Sequence, residues 1–315
     1  MKRILMVLYH KFPPDIRVEK EALSLINAGY SVSVATLVFP NDRTKPFKYK
    51  GIQVFPMIRK MSFFARLTRV SSIFFRMVDP FFCRHLHRVI DDIKPNAIHI
   101  HDLPMFKSAY QAGRKRGSKF VIDFHENYPA ALVEYRKNKK GLKKIISTIW
   151  SYPSKWKNYE QWAAKEADRI IIVTEEAKKR FLNKGVDKNK FVVVSNTASK
   201  TLLDLPVDKQ LVNSIRAKGD FIILYFGGFG SHRGLDTAIR AVHLAVKKVP
   251  GLKLLLVGDQ GKTPLLISRF KKLIEKYDIK DNVEILPWQD FETIRSFIQA
   301  SDLCIVPHKR SPHTD

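Results

Sequence analysis

Acidic residues are scarce in this chain. Asp and Glu number 30 against 56 Lys and Arg, a formal net charge of +26 over 315 residues. An imbalance of that size suits an anionic partner, whether a membrane surface, a nucleic acid or a phosphorylated substrate. Cysteine is nearly absent. Cys83 and Cys304 lie far apart and show no metal-ligand spacing, which excludes a disulfide scaffold and points to reduced thiols in a cytoplasmic protein. No apolar run approaches the roughly 20 residues needed to span a bilayer. The run from Ile4 to Leu8 is too short for a secretory h-region and is followed at once by His10, Lys11 and two prolines. The expectation is a cytoplasmic protein, soluble or peripheral at the inner face of the membrane. Low-complexity tracts are missing too, and 45% of the residues are hydrophobic, so the chain is globular.

A further absence concerns the first strand. Residues 3–8 read as a buried parallel strand, yet no G-x-G-x-x-G follows; the chain continues His10-Lys11-Phe12-Pro13-Pro14-Asp15. A dinucleotide-dependent dehydrogenase needs those glycines for its pyrophosphate. Instead Asp15 offers an N-cap for a helix carrying Val18, Ala22, Leu25 and Ile26 on one face, with Gly29 as its stop. Arg17 in the first turn either meets an anion or is a surface charge beside the cap.

What is present is a rhythm. Strands are expected at 31–37, 52–55, 97–100, 119–123, 169–173 and 191–194, with helical patterns between most of them. That alternation gives an α/β, doubly wound parallel sheet whose ligands bind beyond the carboxyl ends of the strands. Residues 1–200 form this first domain, and 201–218, polar and holding Pro206 and Asp208, read as a linker. A second Rossmann-like series occupies 219–315, with strands at 221–226, 252–257, 282–286 and 302–306 and helices at 234–248, 264–276 and 290–299. It ends directly after a strand, so the second domain is expected to be incomplete.

The most informative stretch runs from Ile222 to Asp236: a strand, then Gly227-Gly228-Phe229-Gly230, then Arg233-Gly234 opening a helix. Such a turn aims backbone N–H groups and a helix dipole into one crevice, and Arg233 adds a charge able to grip phosphate. The plainer alternative is a strand-to-helix turn with glycines for tight packing. Polar residues also gather after the other strands, at His101-Asp102 and in Asp123-Phe124-His125-Glu126-Asn127. They serve either as catalytic or sugar-binding groups, or as caps for loose backbone. His99 and His101 project to one strand face, but a metal would need further ligands, with His125 or Asp102 as candidates, and no close-spaced motif supplies them. We expect no metal.

Two stretches look adapted to a surface. Residues 57–90 interleave Arg59, Lys60, Arg66, Arg69, Arg76, Arg84 and Arg88 with Phe63, Phe64, Phe74, Phe75, Phe81 and Phe82. Residues 136–157 carry eight basic residues and no acid, with Ile145, Ile146, Ile149, Trp150 and Trp156 among them. Basic amphipathic helices with aromatics fit an anionic membrane. Basic residues among aromatics also suit single-stranded nucleic acid, although no RNA-module signature is present. A solvated charged face over core aromatics is the third possibility.

Taken together, the helix opening Asp15-Ile16-Arg17-Val18, His99-Ile100-His101-Asp102, Asp123-Phe124-His125-Glu126, Phe226-Gly227-Gly228, Arg233-Gly234-Leu235-Asp236, Val257-Gly258-Asp259 and Ala300–Pro307 resemble glycosyltransferase family four over essentially the full chain. The resemblance implies the GT-B architecture, two Rossmann-like domains facing across a cleft. It implies transfer of a hexosyl-type sugar from a nucleotide diphosphate donor, with retention and no bound metal or other cofactor, to a glycan or lipid-linked acceptor of the kind used in cell-envelope polysaccharide synthesis. Gly227, Gly228, Arg233 and Arg17 then hold the donor phosphates, although the family commonly has arginine where this chain has Gly228. Gly258, Asp259, Pro287 and Trp288 lie on the nucleobase and ribose side. His125 is the histidine near the reacting sugar, and His101, Asp102 and Glu126 line the acceptor side. Nucleic acid is not expected as a partner. The family's paired-glutamate motif would follow Asp315, so the 315-residue chain is expected to be weakly active or inactive. A nucleotide-sugar epimerase shares the architecture and is the alternative enzyme; a basic nucleic-acid-binding protein is the non-enzymatic one.

Overall fold

The computed structural model describes residues 1–39, 42–58, 62–137, 152–198, 200–261 and 263–311, without the side chains of 66, 135–137 and 201. The chain divides into two compact units, Met1–Asn196 and Thr197–Asp315.

The first unit runs β1 (Arg3–Val7), α1 (Ile16–Asn27), β2 (Ser31–Val38), β3 (Phe47–Tyr49), β4 (Ile52–Ile58), α2 (Phe63–Arg76), α3 (Pro80–Ile93) and β5 (Ala97–His101). It continues through α4 (Phe106–Gly113), β6 (Lys119–Phe124), α5 (Tyr128–Lys137), α6 (Pro153–Glu166), β7 (Arg169–Ile172), α7 (Glu176–Leu182) and β8 (Phe191–Val193). Its sheet has the order β3-β4-β2-β1-β5-β6-β7-β8, parallel except where β3 pairs antiparallel with β4. Successive residues of β1 face opposite layers. Met6 and Leu8 pack with Val18 and Ala22 of α1, while Leu5 and Val7 pack with Phe82 and Leu86 of α3 and Phe106 of α4. Covered on both faces, the inner strands read as continuous apolar runs. The strand order reverses between β1 and β5, and that switch point opens the crevice that positions the site.

The second unit contains α8 (Lys209–Arg216), β9 (Phe221–Phe226), α9 (Leu235–Ala245), β10 (Leu252–Asp259), α10 (Pro264–Lys276), β11 (Val283–Pro287), α11 (Ile294–Gln299) and β12 (Leu303–Cys304). Its described strands form a parallel sheet ordered β11-β10-β9-β12, with Ile239 and Phe270 on one face and Ile215 and Phe297 on the other. The expected linker is therefore partly a structural element. Asp208 accepts the N–H groups of Gln210 and Leu211 at 2.9 and 3.0 Å, which starts α8, and Ile215 of that helix is 1% exposed in the core.

The two basic stretches change on folding. Arg69 and Trp156, which lie in those stretches, are buried: Arg69 pairs with Asp79 at 2.6 Å, and Trp156 packs in the first core, as the alternative of core aromatics under a charged face has it. Arg59, Lys60 and residues 138–151 lie outside the described residues. No described helix is long and apolar enough to cross a membrane.

Candidate functional site

At the switch point of the first unit, α1 contributes Arg17 and Glu21, β5 contributes His99 and His101, and β6 leads from Asp123 to His125. Ile98 and Ile100 point into the apolar layer, so the alternate histidines must face α1. Asp123 is the hub and has no exposed surface. Arg17 donates to its Oδ1 at 3.1 Å and to Glu21 Oε1 at 3.2 Å. His125 Nε2 lies 3.1 Å from Asp123 Oδ2 and 3.3 Å from His101 Nδ1, and its Nδ1 lies 3.5 Å from Asp102 Oδ2.

Burial works to raise the Asp123 carboxyl, but the imidazoles of His101, His125 and His99 beside it hold it far below the usual carboxylate range. His101 is pushed down to about 3, by burial first and by the neighbouring His99 second. His125 goes the other way. Burial lowers it, yet the hydrogen bond to Asp123 and the charges of Asp102 and Asp123 raise it above the ordinary imidazole value. With a carboxylate facing each ring nitrogen, His125 is arranged as a held proton donor rather than as a free base. Asp102 itself is raised, mainly by burial. Its backbone is unusual, with φ 64 and ψ 159, and its N–H donates to the carbonyl of Asp123 at 3.0 Å.

Several expected residues behave differently. Arg17, expected to hold a donor phosphate, also donates to Asp123 and Glu21 within the first unit. Asn127 does cap, accepting the Ala130 N–H at 3.3 Å, as the plainer reading of that segment required. The Glu126 carbonyl accepts from Arg180, whose guanidinium also pairs with Glu160 at 3.1 Å. Burial pushes Glu160 up to about 6 despite that pair. His10, exposed, is spent on Asp15 at 2.7 Å. Sequence reasoning missed Glu21 and the central role of Asp123. Its one usable signal for Glu21 was the i,i+4 spacing from Arg17 on an amphipathic helix.

The second unit carries the glycine-rich turn. The Gly227 N–H donates to the Val257 carbonyl at 2.9 Å, and Tyr225 Oη donates to the Gly228 carbonyl at 2.9 Å, which ties the turn to the sheet. Gly234, at φ +69, stands at the N-cap of α9 and supplies no side-chain cap hydrogen bond. A Cβ on Gly234 would lie 1.7 Å from the Pro307 carbonyl oxygen, so the segment after β12 closes directly on the turn. Arg233 Nη1 meets His308 Nε2 at 2.7 Å; guanidinium only donates, so that histidine nitrogen is the acceptor. A Cβ at Gly228 would meet nothing within 4 Å, so lack of room does not account for the absent arginine. On the far side of β10 the Trp288 N–H donates to the Asp259 carbonyl at 2.9 Å, joining the Pro287-Trp288 loop to Gly258-Asp259. The residues expected around the donor thus converge in one unit, apart from Arg17.

Two parallel α/β units with polar clusters at their strand ends define a protein of the GT-B class. Residues 17–199 match Glycosyltransferase Family 4 and residues 207–312 match Glycosyl transferases group 1. The chain belongs to glycosyltransferase family 4. It is 23% identical over 204 residues to an uncharacterized glycosyltransferase, YqgM, of Bacillus subtilis, a match covering 61% of this chain and 53% of that protein. The chain thus spans about half the length of that relative. Among solved structures, sucrose-phosphate synthase from Thermosynechococcus elongatus aligns with a TM-score of 0.72 at 17% identity, over 99% of this chain and 77% of that one. Anabaena Alr3699/HepE, in complex with UDP and glucose, aligns with a TM-score of 0.65 at 12% identity, over 96% and 73%. Likeness at such identity defines the fold.

Proposed function

We propose that the protein transfers a sugar, with retention of configuration, from a nucleoside diphosphate donor to a lipid-linked or polysaccharide-precursor acceptor. The observation that carries this reading is the turn Gly227–Gly234, where Arg233 stands beside the glycine N-cap of α9. Departure of a nucleoside diphosphate places negative charge on phosphate, and preorganised donors there stabilise the transition state. The bond from the anomeric carbon to the phosphate oxygen breaks, the acceptor oxygen takes its place on the same face, and the acceptor proton passes to the leaving phosphate. His125, held between Asp102 and Asp123, positions the reacting hydroxyls in this reading. The UDP bound by the Anabaena protein of the same fold makes a uridine nucleotide the first donor to try.

Arg233→Ala is expected to weaken binding of UDP-glucose or of the preferred nucleotide sugar by about 10- to 100-fold, the loss of a charge-assisted hydrogen bond. Isothermal titration reads this directly, and unchanged affinity would remove the phosphate assignment. Product analysis with and without acceptor separates transfer from epimerisation.

We further propose that the first unit works on an anionic membrane surface. Helix α2 turns its apolar side outward, with Phe63, Phe64, Leu67 and Phe75 exposed by 75, 78, 57 and 76%. Arg76 and Arg84 line a depression beside it, and Lys155 lies 4.1 Å over the Phe74 ring. An exposed aromatic stripe next to cations suits a lipid headgroup layer rather than water. Flotation with vesicles containing phosphatidylglycerol should recover the protein, with Phe64→Ser/Phe75→Ser reducing recovery severalfold. Equal recovery on neutral vesicles would count against the electrostatic part.

A further inference from the structure

The cluster beneath His125 contains more than the transfer reading uses. Glu21 Oε2, His99 Nε2, His101 Nδ1 and Asp123 Oδ2 come from three different elements, yet one ligand atom of each lies within 4.8 Å of all the others. His99 Nε2 is 3.9 Å from Glu21 Oε2 and 3.7 Å from Asp123 Oδ2; His101 Nδ1 is 3.9 Å and 3.6 Å from the same two oxygens. These spacings are too long for hydrogen bonds and too short for a solvent layer. Ligands at about 2.0–2.2 Å around a tetrahedral cation stand about 3.3–3.6 Å apart; the four nitrogen–oxygen spacings need a contraction of only a few tenths of an ångström, and the other two pairs lie within 4.8 Å.

Two of these atoms are buried with no hydrogen-bond partner, Glu21 Oε2 and His99 Nε2, and the side chain of His99 is only 8% exposed. Unpaired buried polar atoms are costly, and these two face one another across the same small space. The outer oxygens of both carboxylates are already taken. Arg17 donates to Glu21 Oε1, which leaves Oε2 facing inward; it also donates to Asp123 Oδ1 at 3.1 Å, with Oδ2 at 3.4 Å from the same nitrogen and 3.1 Å from His125 Nε2. Such outer hydrogen bonds are how proteins orient metal-binding carboxylates.

The geometry points to a structural divalent cation of the zinc type, held by Glu21, His99, His101 and Asp123 at the switch point of the first sheet. Two neutral imidazoles and two carboxylates balance its charge, and mixed nitrogen and oxygen donors suit a first-row transition ion rather than Mg2+ or Ca2+. All four positions are filled by protein, so the cation is a clamp between α1, β5 and β6 and does not take part in sugar transfer. Through Asp123 it fixes the ring of His125. The inference does not rest on the transfer reading, and it departs from the sequence-based expectation of no metal.

The test uses the full chain, free of any affinity tag, stripped with a chelator and then titrated with Zn2+. One equivalent is expected to bind with a dissociation constant in the micromolar range or tighter and to raise the unfolding midpoint, whereas Mg2+ at the same concentration shifts nothing. Co2+ is expected to give the visible d–d absorption of a four-coordinate site. Glu21→Gln and His99→Gln should each weaken Zn2+ binding at least about tenfold and alter the Co2+ spectrum. Should either variant fail to fold, the Co2+ spectrum of the unmodified chain still decides. The proposal is overturned by a featureless or octahedral Co2+ spectrum, by no stoichiometric Zn2+ binding, or by variants that bind Zn2+ as the parent does.

Discussion

Asp79→Asn is expected to cost the first unit about 3–5 kcal/mol, measured as a fall in the midpoint of its urea unfolding transition at constant slope. Asp79 has no exposed surface, and it serves two structures at once. Its Oδ1 accepts the N–H groups of Phe81 and Phe82, both at 3.1 Å, and so starts α3; its Oδ2 meets Arg69 Nε at 2.6 Å. Its own N–H donates to Ser108 Oγ at 3.0 Å, which ties the turn to α4. The amide variant keeps an acceptor for the helix but removes the negative charge that meets the buried Arg69 guanidinium. Breaking such a pair costs far more than replacing both partners. Arg69→Met combined with Asp79→Asn should therefore recover most of the loss, a positive coupling in the double-mutant cycle. If Asp79→Asn alone lies within about 0.5 kcal/mol of the parent, as a surface substitution would, the pair is not carrying the corner between α2 and α3.

Gly258→Ala is the second large effect, and it falls on the donor side. Gly258 sits at φ +130, where an L-side chain is strained, and its Cβ would lie 2.2 Å from the Gly227 carbonyl oxygen and 2.7 Å from its carbon. The end of β10 and the turn after β9 thus touch backbone to backbone. Left-handed strain costs about 1–3 kcal/mol and overpacking adds about 1–3 kcal/mol. The turn is the softer partner and should move. Nucleotide-sugar affinity is expected to fall at least as far as with Arg233→Ala, while the unfolding of the first unit stays unchanged. Titration and unfolding of the same preparation check both halves; full affinity in the alanine variant would show that the turn does not hold the phosphate.

Much of the architecture was legible because parallel strands buried on both faces announce themselves as short apolar runs between turn residues. Leu252–Val257 and Ile222–Phe226 needed nothing more. β3 escaped because Phe47-Lys48-Tyr49 gains its identity from an antiparallel partner rather than from its own pattern. The 201–218 stretch was misjudged for a related reason. Pro206 and the surrounding polar residues signal a break, while the Asp208 cap and the apolar stripe of Leu211, Val212 and Ile215 need α11 opposite them to become a packed helix.

The site divides along the same line. His125 and the glycine turn could be nominated as candidates from the sequence since they sit at strand ends, where chemistry collects in this class of sheet. Glu21 was not visible. Its contact with Asp123 joins residues about a hundred positions apart, and only the packing of α1 over β5 and β6 creates it. Arg69 and Trp156 stayed undecided for a different reason: an amphipathic pattern states that a helix has two faces, not which of them is covered.

Asp102 has a consequence for anyone improving this protein in the laboratory. A non-glycine residue at φ 64 and ψ 159 holds about 1–3 kcal/mol of backbone strain, which glycine at the same position would relieve. Selection for heat resistance alone would therefore drift toward removing the carboxylate that faces His125, and under the proposed role of His125 its most durable survivors would be the poorest catalysts. Ranking the same library twice, once by survival at high temperature and once by turnover, would make position 102 stand out where the two orders part.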